Sequence, residues 1–191
     1  MEKSITYFDK PGKENTDTVI EVVRNRVRAL DIREVVVAST TGKTGVAIAE
    51  ALQEEDVNLV VVTHQYGAHD EGQWDMDSKY VSRLNELGVE IVSQSHMFSG
   101  IEKSLSRETG GISRIEIVAD TLRKLFGKGF KVAVEIAIMA ADSGALTMEG
   151  EVIAVGGTSY GADVACVIKP AHSNNFYDLQ IREILCMPRE K

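Results

Sequence analysis

The stretch Glu34-Val35-Val36-Val37-Ala38-Ser39-Thr40-Thr41-Gly42-Lys43-Thr44-Gly45-Val46 decides the fold class. Val35-Val36-Val37-Ala38 are apolar at successive rather than alternating positions, the pattern of a strand covered by helices on both faces. A glycine turn follows, and then an alanine-rich segment, Val46 to Leu52, that reads as a helix. Leu59-Val60-Val61-Val62 repeats the continuous apolar pattern. Strand, turn, helix and strand make one βαβ unit with a right-handed crossover, so the chain is an α/β protein with a parallel sheet.

The turn itself points to an anion. The first-turn amides and the positive dipole end of a helix attract negative charge, and glycine lets the backbone approach it. Gly42-Lys43-Thr44 are the last three positions of the nucleotide motif G-x-x-x-x-G-K-[ST], but its first glycine would fall at Val37, inside the strand. The motif is incomplete, which argues against nucleotide hydrolysis. The expected phosphate contacts are Thr40, Thr41, Gly42, Lys43 and Thr44, with Ser39 and Gly45 in support. The competing reading is an ordinary turn in which Thr40 or Thr41 caps the helix and Lys43 is solvated.

Outward from this unit the alternation continues. Val19, Val23, Val27 and Leu30 predict a helix over 15–30, with Asn15 at its N-cap. Met76, Tyr80, Leu84 and Leu87 share another helical face, stopped by Gly88, before the strand Val89-Glu90-Ile91-Val92. Residues 93–112 read as a long irregular loop ending in Gly110-Gly111. Ser113 and Glu116 form a capping box for the next helix. Phe130 to Ser143 is ambiguous by periodicity, but its alanines and the following Gly144 favour helix. Glu151 to Val155 is a strand, and Ala162 to Lys169 and Gln180 to Met187 follow as strands without room for crossover helices. At least one of these is expected to run antiparallel at the sheet edge.

Further candidates lie at strand ends, where open α/β sheets bind ligands. His64, His69 and Asp70 follow the second strand and His96 the third; Tyr66 and Trp74 could stack on a planar ring. Neither an H-E-x-x-H pattern nor a cysteine set is present, so His64 and His96 read as hydrogen-bonding groups and no metal is expected. Gly110-Gly111 would bring further amides to the ligand, or simply loosen a loop. Gly156-Gly157 would close over it, or turn the chain into an antiparallel strand. Glu135 reads as part of a polar helix face, and Cys166 and Cys186 as buried thiols.

Several stretches along the whole chain carry a resemblance: Tyr7-Phe8 with Pro11-Gly12-Lys13-Glu14-Asn15-Thr16, Val36-Val37-Ala38-Ser39, Ser95-His96 with Ser99-Gly100, Gly110-Gly111, Val134 to Asp142, Gly161-Ala162-Asp163 and Pro170-Ala171-His172. The chain resembles the C-terminal domain of pyruvate kinase, and more closely the stand-alone, mainly archaeal proteins that carry this domain without the catalytic barrel. The resemblance implies one three-layer α/β/α domain over 1–191, with a mixed sheet of order 3-2-1-4-5 whose last strand is antiparallel. It implies FMN as the ligand; on the residue reading above, the phosphate is expected on residues 39–45, helped by Gly110-Gly111, and the ring near His64, Tyr66, His96 and Gly156-Gly157. Pyruvate kinase activity is not expected, since a (β/α)₈ barrel alone takes roughly 250 residues. If catalytic, the protein would be a flavin-dependent oxidoreductase. The alternative is a non-catalytic sensor for a sugar phosphate or nucleotide, because a similar turn in pyruvate kinase holds a phosphate of an allosteric sugar bisphosphate.

Composition bounds the partners. A net charge of −8 opposes a general nucleic-acid role. No apolar run reaches the roughly 20 residues that span a bilayer. The N-terminal residues lack the pattern of a signal peptide and the cysteines are not closely spaced, so a cytoplasmic location is expected. A small phosphorylated ligand is the expected partner, and a homo-oligomer is the default assembly.

Overall fold

The computed structural model describes residues 3–191. Its core is a seven-stranded sheet in the order β1-β7-β6-β5-β2-β3-β4. The central parallel strands are β2 (Glu34–Ala38), β3 (Asn58–Thr63), β4 (Glu90–Ser93) and β5 (Val152–Gly156). Beside β5 lies antiparallel β6 (Val164–Lys169), which pairs antiparallel with β7 (Gln180–Pro188). Counting from β2, the first five strands stand in the expected order 3-2-1-4-5, the fifth antiparallel. The sheet then extends further than expected. β6 is an interior strand, and the edge beyond β7 is β1 (Thr6–Phe8), whose three residues are too short to carry a periodic signal.

Helices cover both faces, which explains the continuous apolar runs. Val35 and Val37 of β2 pack into the core under α1 (Thr16–Leu30), α2 (Lys43–Ala51) and α3 (Ser78–Glu86). Val36, between them, faces the opposite core under α5 (Arg114–Phe126) and α6 (Lys128–Asp142). Helix α6 is buried almost all round, between the sheet and α5. A helix without a solvated stripe has no clear 3.6-residue period, hence its ambiguity in the sequence. The capping box at Ser113 and Glu116 forms as expected.

Four local expectations are corrected. Residues 93–112 hold a helix, α4 (Ile101–Thr109), with no buried residue; its apolar Ile101 and Leu105 stay exposed, so no core stripe announced it. Helix α2 begins at Lys43 rather than Val46, and Met76 precedes α3, whose N-cap Asp77 accepts from the Lys79 amide. Asn15 is at the N-cap of α1, but its side chain donates to the Lys10 carbonyl instead of capping the helix. Cys166 and Cys186 are free buried thiols. No helix among the described residues is long and apolar enough to cross a membrane.

Candidate functional site

The turn after β2 enters α2 on one face of the sheet, and α6, on the other face, leads into the neighbouring β5, which leaves a crevice at the C-terminal ends of the two strands. A cavity of about 410 Å³ occupies it. One wall is the turn into α2. Ser39 donates its amide to the Val62 carbonyl at 2.9 Å and accepts from the Gly45 amide through Oγ at 3.1 Å. Ser39 therefore serves the first turn of α2, rather than Thr40 or Thr41, and Thr40, Thr41 and Thr44 line the cavity with it. The turn is pinned from behind: Thr63 Oγ1 donates to the Thr40 carbonyl at 2.9 Å, and the Asp77 amide to the Thr41 carbonyl at 3.1 Å. Gly42 has φ 95°, and a Cβ there would meet Cβ of Tyr80 at 2.6 Å. Its role is the turn itself.

Across the cavity stands the N-terminus of α6, which contributes Lys128 to the wall. Lys43 is exposed and does not line the cavity, so the expected lysine is replaced by one that sequence reasoning missed. A signal was available. Gly127-Lys128-Gly129 places a second Gly-Lys pair at the start of an alanine-rich helix, as Gly42-Lys43 does for α2. Two helix N-termini and a lysine thus face one space, the arrangement that suits an anion.

The β5–β6 connection forms a third wall with Gly157, Ser159, Tyr160 and Gly161. It also turns the chain into antiparallel β6, the second reading of these glycines. Gly156 lies behind it, where a Cβ would collide with the Gly129 carbonyl. Asp163 fixes the turn, with Oδ2 accepting from the Gly12 and Thr158 amides, each at 3.0 Å. Burial pushes its carboxyl above the usual carboxylate range.

Three histidines, His64, His69 and His96, complete the rim. Asp75 Oδ2 lies 2.7 Å from His64 Nδ1 and 2.9 Å from His69 Nδ1. Burial pushes the Asp75 carboxyl up, but the hydrogen bonds from both rings outweigh it and the net direction is down. The His96 ring meets His64 edge-on at 5.0 Å and donates through Nδ1 to Gln65 Oε1 at 2.9 Å. Burial lowers the His96 pKa, with Glu135 opposing, which favours the neutral ring.

Glu135 also lines the cavity, and it is only 1% exposed. This corrects its reading as part of a polar helix face. Its Oε1 accepts from the Phe98 amide at 2.8 Å, and its Oε2 accepts from Lys131. Burial pulls the Lys131 pKa down while Glu135 pulls it back up. The rest of the expected set lies elsewhere. Exposed Tyr66 stacks on Trp74 with ring centroids 5.4 Å apart, away from the cavity wall. Gly110 and Gly111 are exposed at the end of α4 and do not line the cavity.

The model of the family described as pyruvate kinase, alpha/beta domain matches residues 17–168. The chain belongs to that family. In this pyruvate kinase alpha/beta domain the match runs from the start of α1 to the end of β6, so it contains every wall of the cavity. β7 and the edge strand β1 lie outside it. Among solved structures, the chain is similar to the NH3-dependent NAD synthetase from Campylobacter jejuni subsp. jejuni NCTC 11168 in complex with the nitrate ion, with 10% identity and a TM-score of 0.38. That likeness covers 73% of this chain, and the chain spans 54% of the synthetase's length.

Proposed function

We propose that this domain binds FMN in the cavity at the β2/β5 crevice, with the phosphate on the Thr40–Thr44 turn. The observation that carries the reading is that the starts of two helices line one cavity, one with threonine hydroxyls and the other with Lys128. The cavity volume of about 410 Å³ falls in the range of small-molecule and cofactor sites. His64, His96 and the Gly157–Gly161 turn would border the ring. Glu135, its charge balanced by Lys131, offers an acceptor to a ring N–H. Lys128 takes the part expected of Lys43, and Gly110, Gly111 and Tyr66 take none. When bound, FMN supplies hydride or one-electron transfer, and the protein supplies orientation and electrostatics.

Membership of the pyruvate kinase alpha/beta domain family favours a second reading, a non-catalytic sensor of a sugar phosphate or nucleotide at the same phosphate cradle. A thermal-shift series separates the two, since a ligand of the native state raises stability with the logarithm of its concentration. FMN is expected to raise Tm more than sugar phosphates or nucleotides do at equal concentration. Stabilisation by sugar phosphates but not by FMN would transfer the cradle to the sensor reading.

A further inference from the structure

We infer that His64, His69 and Asp75 form a binding site for a divalent transition-metal ion on the rim of the cavity. One ligand atom from each residue lies within 4.8 Å of the other two. Two imidazoles and a carboxylate are the donor set of many three-ligand sites that keep a position open, and imidazole suits zinc, nickel, copper and iron.

The loop between β3 and α3 is built to bring these groups together. His64 leaves the end of β3, and its carbonyl is held by Trp74 Nε1 at 3.2 Å and Ser93 Oγ at 2.8 Å. The Gly67 amide donates to the Gln73 carbonyl at 2.9 Å and the Gln73 amide to the Asp70 carbonyl at 3.0 Å, which folds the loop back on itself. Gly67 and Gly72, with φ of 73° and 70°, allow that reversal. His69 and Asp75, six positions apart, meet as a result. The loop residues 64–77 contain Asp70, Glu71, Asp75 and Asp77 and no lysine or arginine, while Lys103 and Arg107 of α4 line a neighbouring cavity with His64 and His69.

In the metal-free form both Nδ1 atoms donate to Asp75 Oδ2, at 2.7 and 2.9 Å. Metal–ligand bonds of about 2.0–2.1 Å would set these atoms roughly 3.3 Å apart in a tetrahedron, a widening of about 0.5 Å. Coordination through Nδ1 requires each ring to carry its proton on Nε2, which frees the Nδ1 lone pair for the metal. His64 and His69 both line the cavity, and the open coordination position would face it. The site stands independently of the FMN reading.

The test is isothermal titration of tag-free, chelator-treated protein with Zn²⁺, repeated with Co²⁺ while visible d–d absorption is recorded. One ion per chain is expected, with a Kd below about 10 μM and cobalt bands of a four- or five-coordinate site. His69→Ala and Asp75→Asn should each weaken binding about tenfold or more. His69 is exposed and Asp75→Asn preserves shape, and circular dichroism checks that both variants fold. His172→Ala, which removes an exposed histidine paired with Asp142, should leave binding unchanged. Absence of stoichiometric binding, or equal affinity in wild type, His69→Ala and Asp75→Asn, would overturn the assignment. No flavin enters the titration, so its result and that of the FMN experiments are read separately.

Discussion

Lys131 donates to Glu135 one turn further along α6, and the two side chains are buried at 5% and 1% exposure, with Glu135 against the cavity. Glu135 also accepts from the Phe98 amide, and the Lys131 ammonium lies 5.5 Å from the Phe98 ring centroid. The pair therefore joins α6 to the segment after β4. Removing one partner leaves the other charge buried without compensation, which costs more than the intact pair contributes. Glu135→Gln should lower unfolding free energy by about 3 kcal/mol in a denaturant titration. Lys131→Met combined with Glu135→Gln should recover a large part of that loss. A single variant within about 0.5 kcal/mol of wild type would contradict the pairing.

Gly156 marks the closest approach of β5 and α6. An added Cβ would collide with the Gly129 carbonyl and stand 2.8 Å from the Ala133 amide nitrogen. Both obstacles are backbone and cannot rotate away. Gly156→Ala should destabilise the fold by about 1–3 kcal/mol, measured as a lowered denaturation midpoint.

Asp142 gives the domain an acid-sensitive joint. Its Oδ1 accepts from the Ser173 amide at 3.0 Å and lies 3.3 Å from His172 Nδ1. Burial pushes this carboxyl up, but Ser173 and His172 outweigh it and hold the folded pKa below its ordinary value. In the interval between the two values the unfolded chain binds more protons, so stability is present above the unfolded pKa and is lost as pH falls through the folded one. Asp142→Asn should be destabilised by about 1 kcal/mol near neutral pH, with the gap to wild type closing below about pH 4. Paired urea titrations at pH 7 and pH 3 would show whether the gap closes.

The two lysines at helix starts separate by their place relative to the cavity. Lys128 lines it and Lys43 does not. Lys128→Ala should weaken binding of a phosphorylated ligand about tenfold, the effect of one charge-assisted contact, whereas Lys43→Ala should change it less than twofold. Competition against inorganic phosphate provides the readout.

Much of the fold was legible because the central strands are buried on both faces and announce themselves as continuous valine runs. The turn into α2 was legible because Gly42 follows such a strand, although the helix starts at Lys43, ahead of the expected Val46. The edge strand β1 and helix α4 were not legible, since three residues show no period and a helix that buries nothing shows no core stripe. The site was legible only on the side formed by consecutive residues. Lys128 and Glu135 reach the cavity because α6 crosses under β2 and β5, a long-range relation that no local pattern encodes. His69 and Asp75 meet through a loop reversal, which equally hides the cluster from a spacing rule.

Fluorescence titration of FMN with the purified domain decides whether the cavity holds a flavin, because contact with the protein changes the flavin's emission. Saturable binding of one FMN per chain is expected, weakened about tenfold by Lys128→Ala and by Thr40→Ala combined with Thr41→Ala. Riboflavin, which lacks the phosphate, should bind markedly more weakly. No saturable change with FMN, or equal affinity for FMN and riboflavin, would rule out FMN held by its phosphate at this turn.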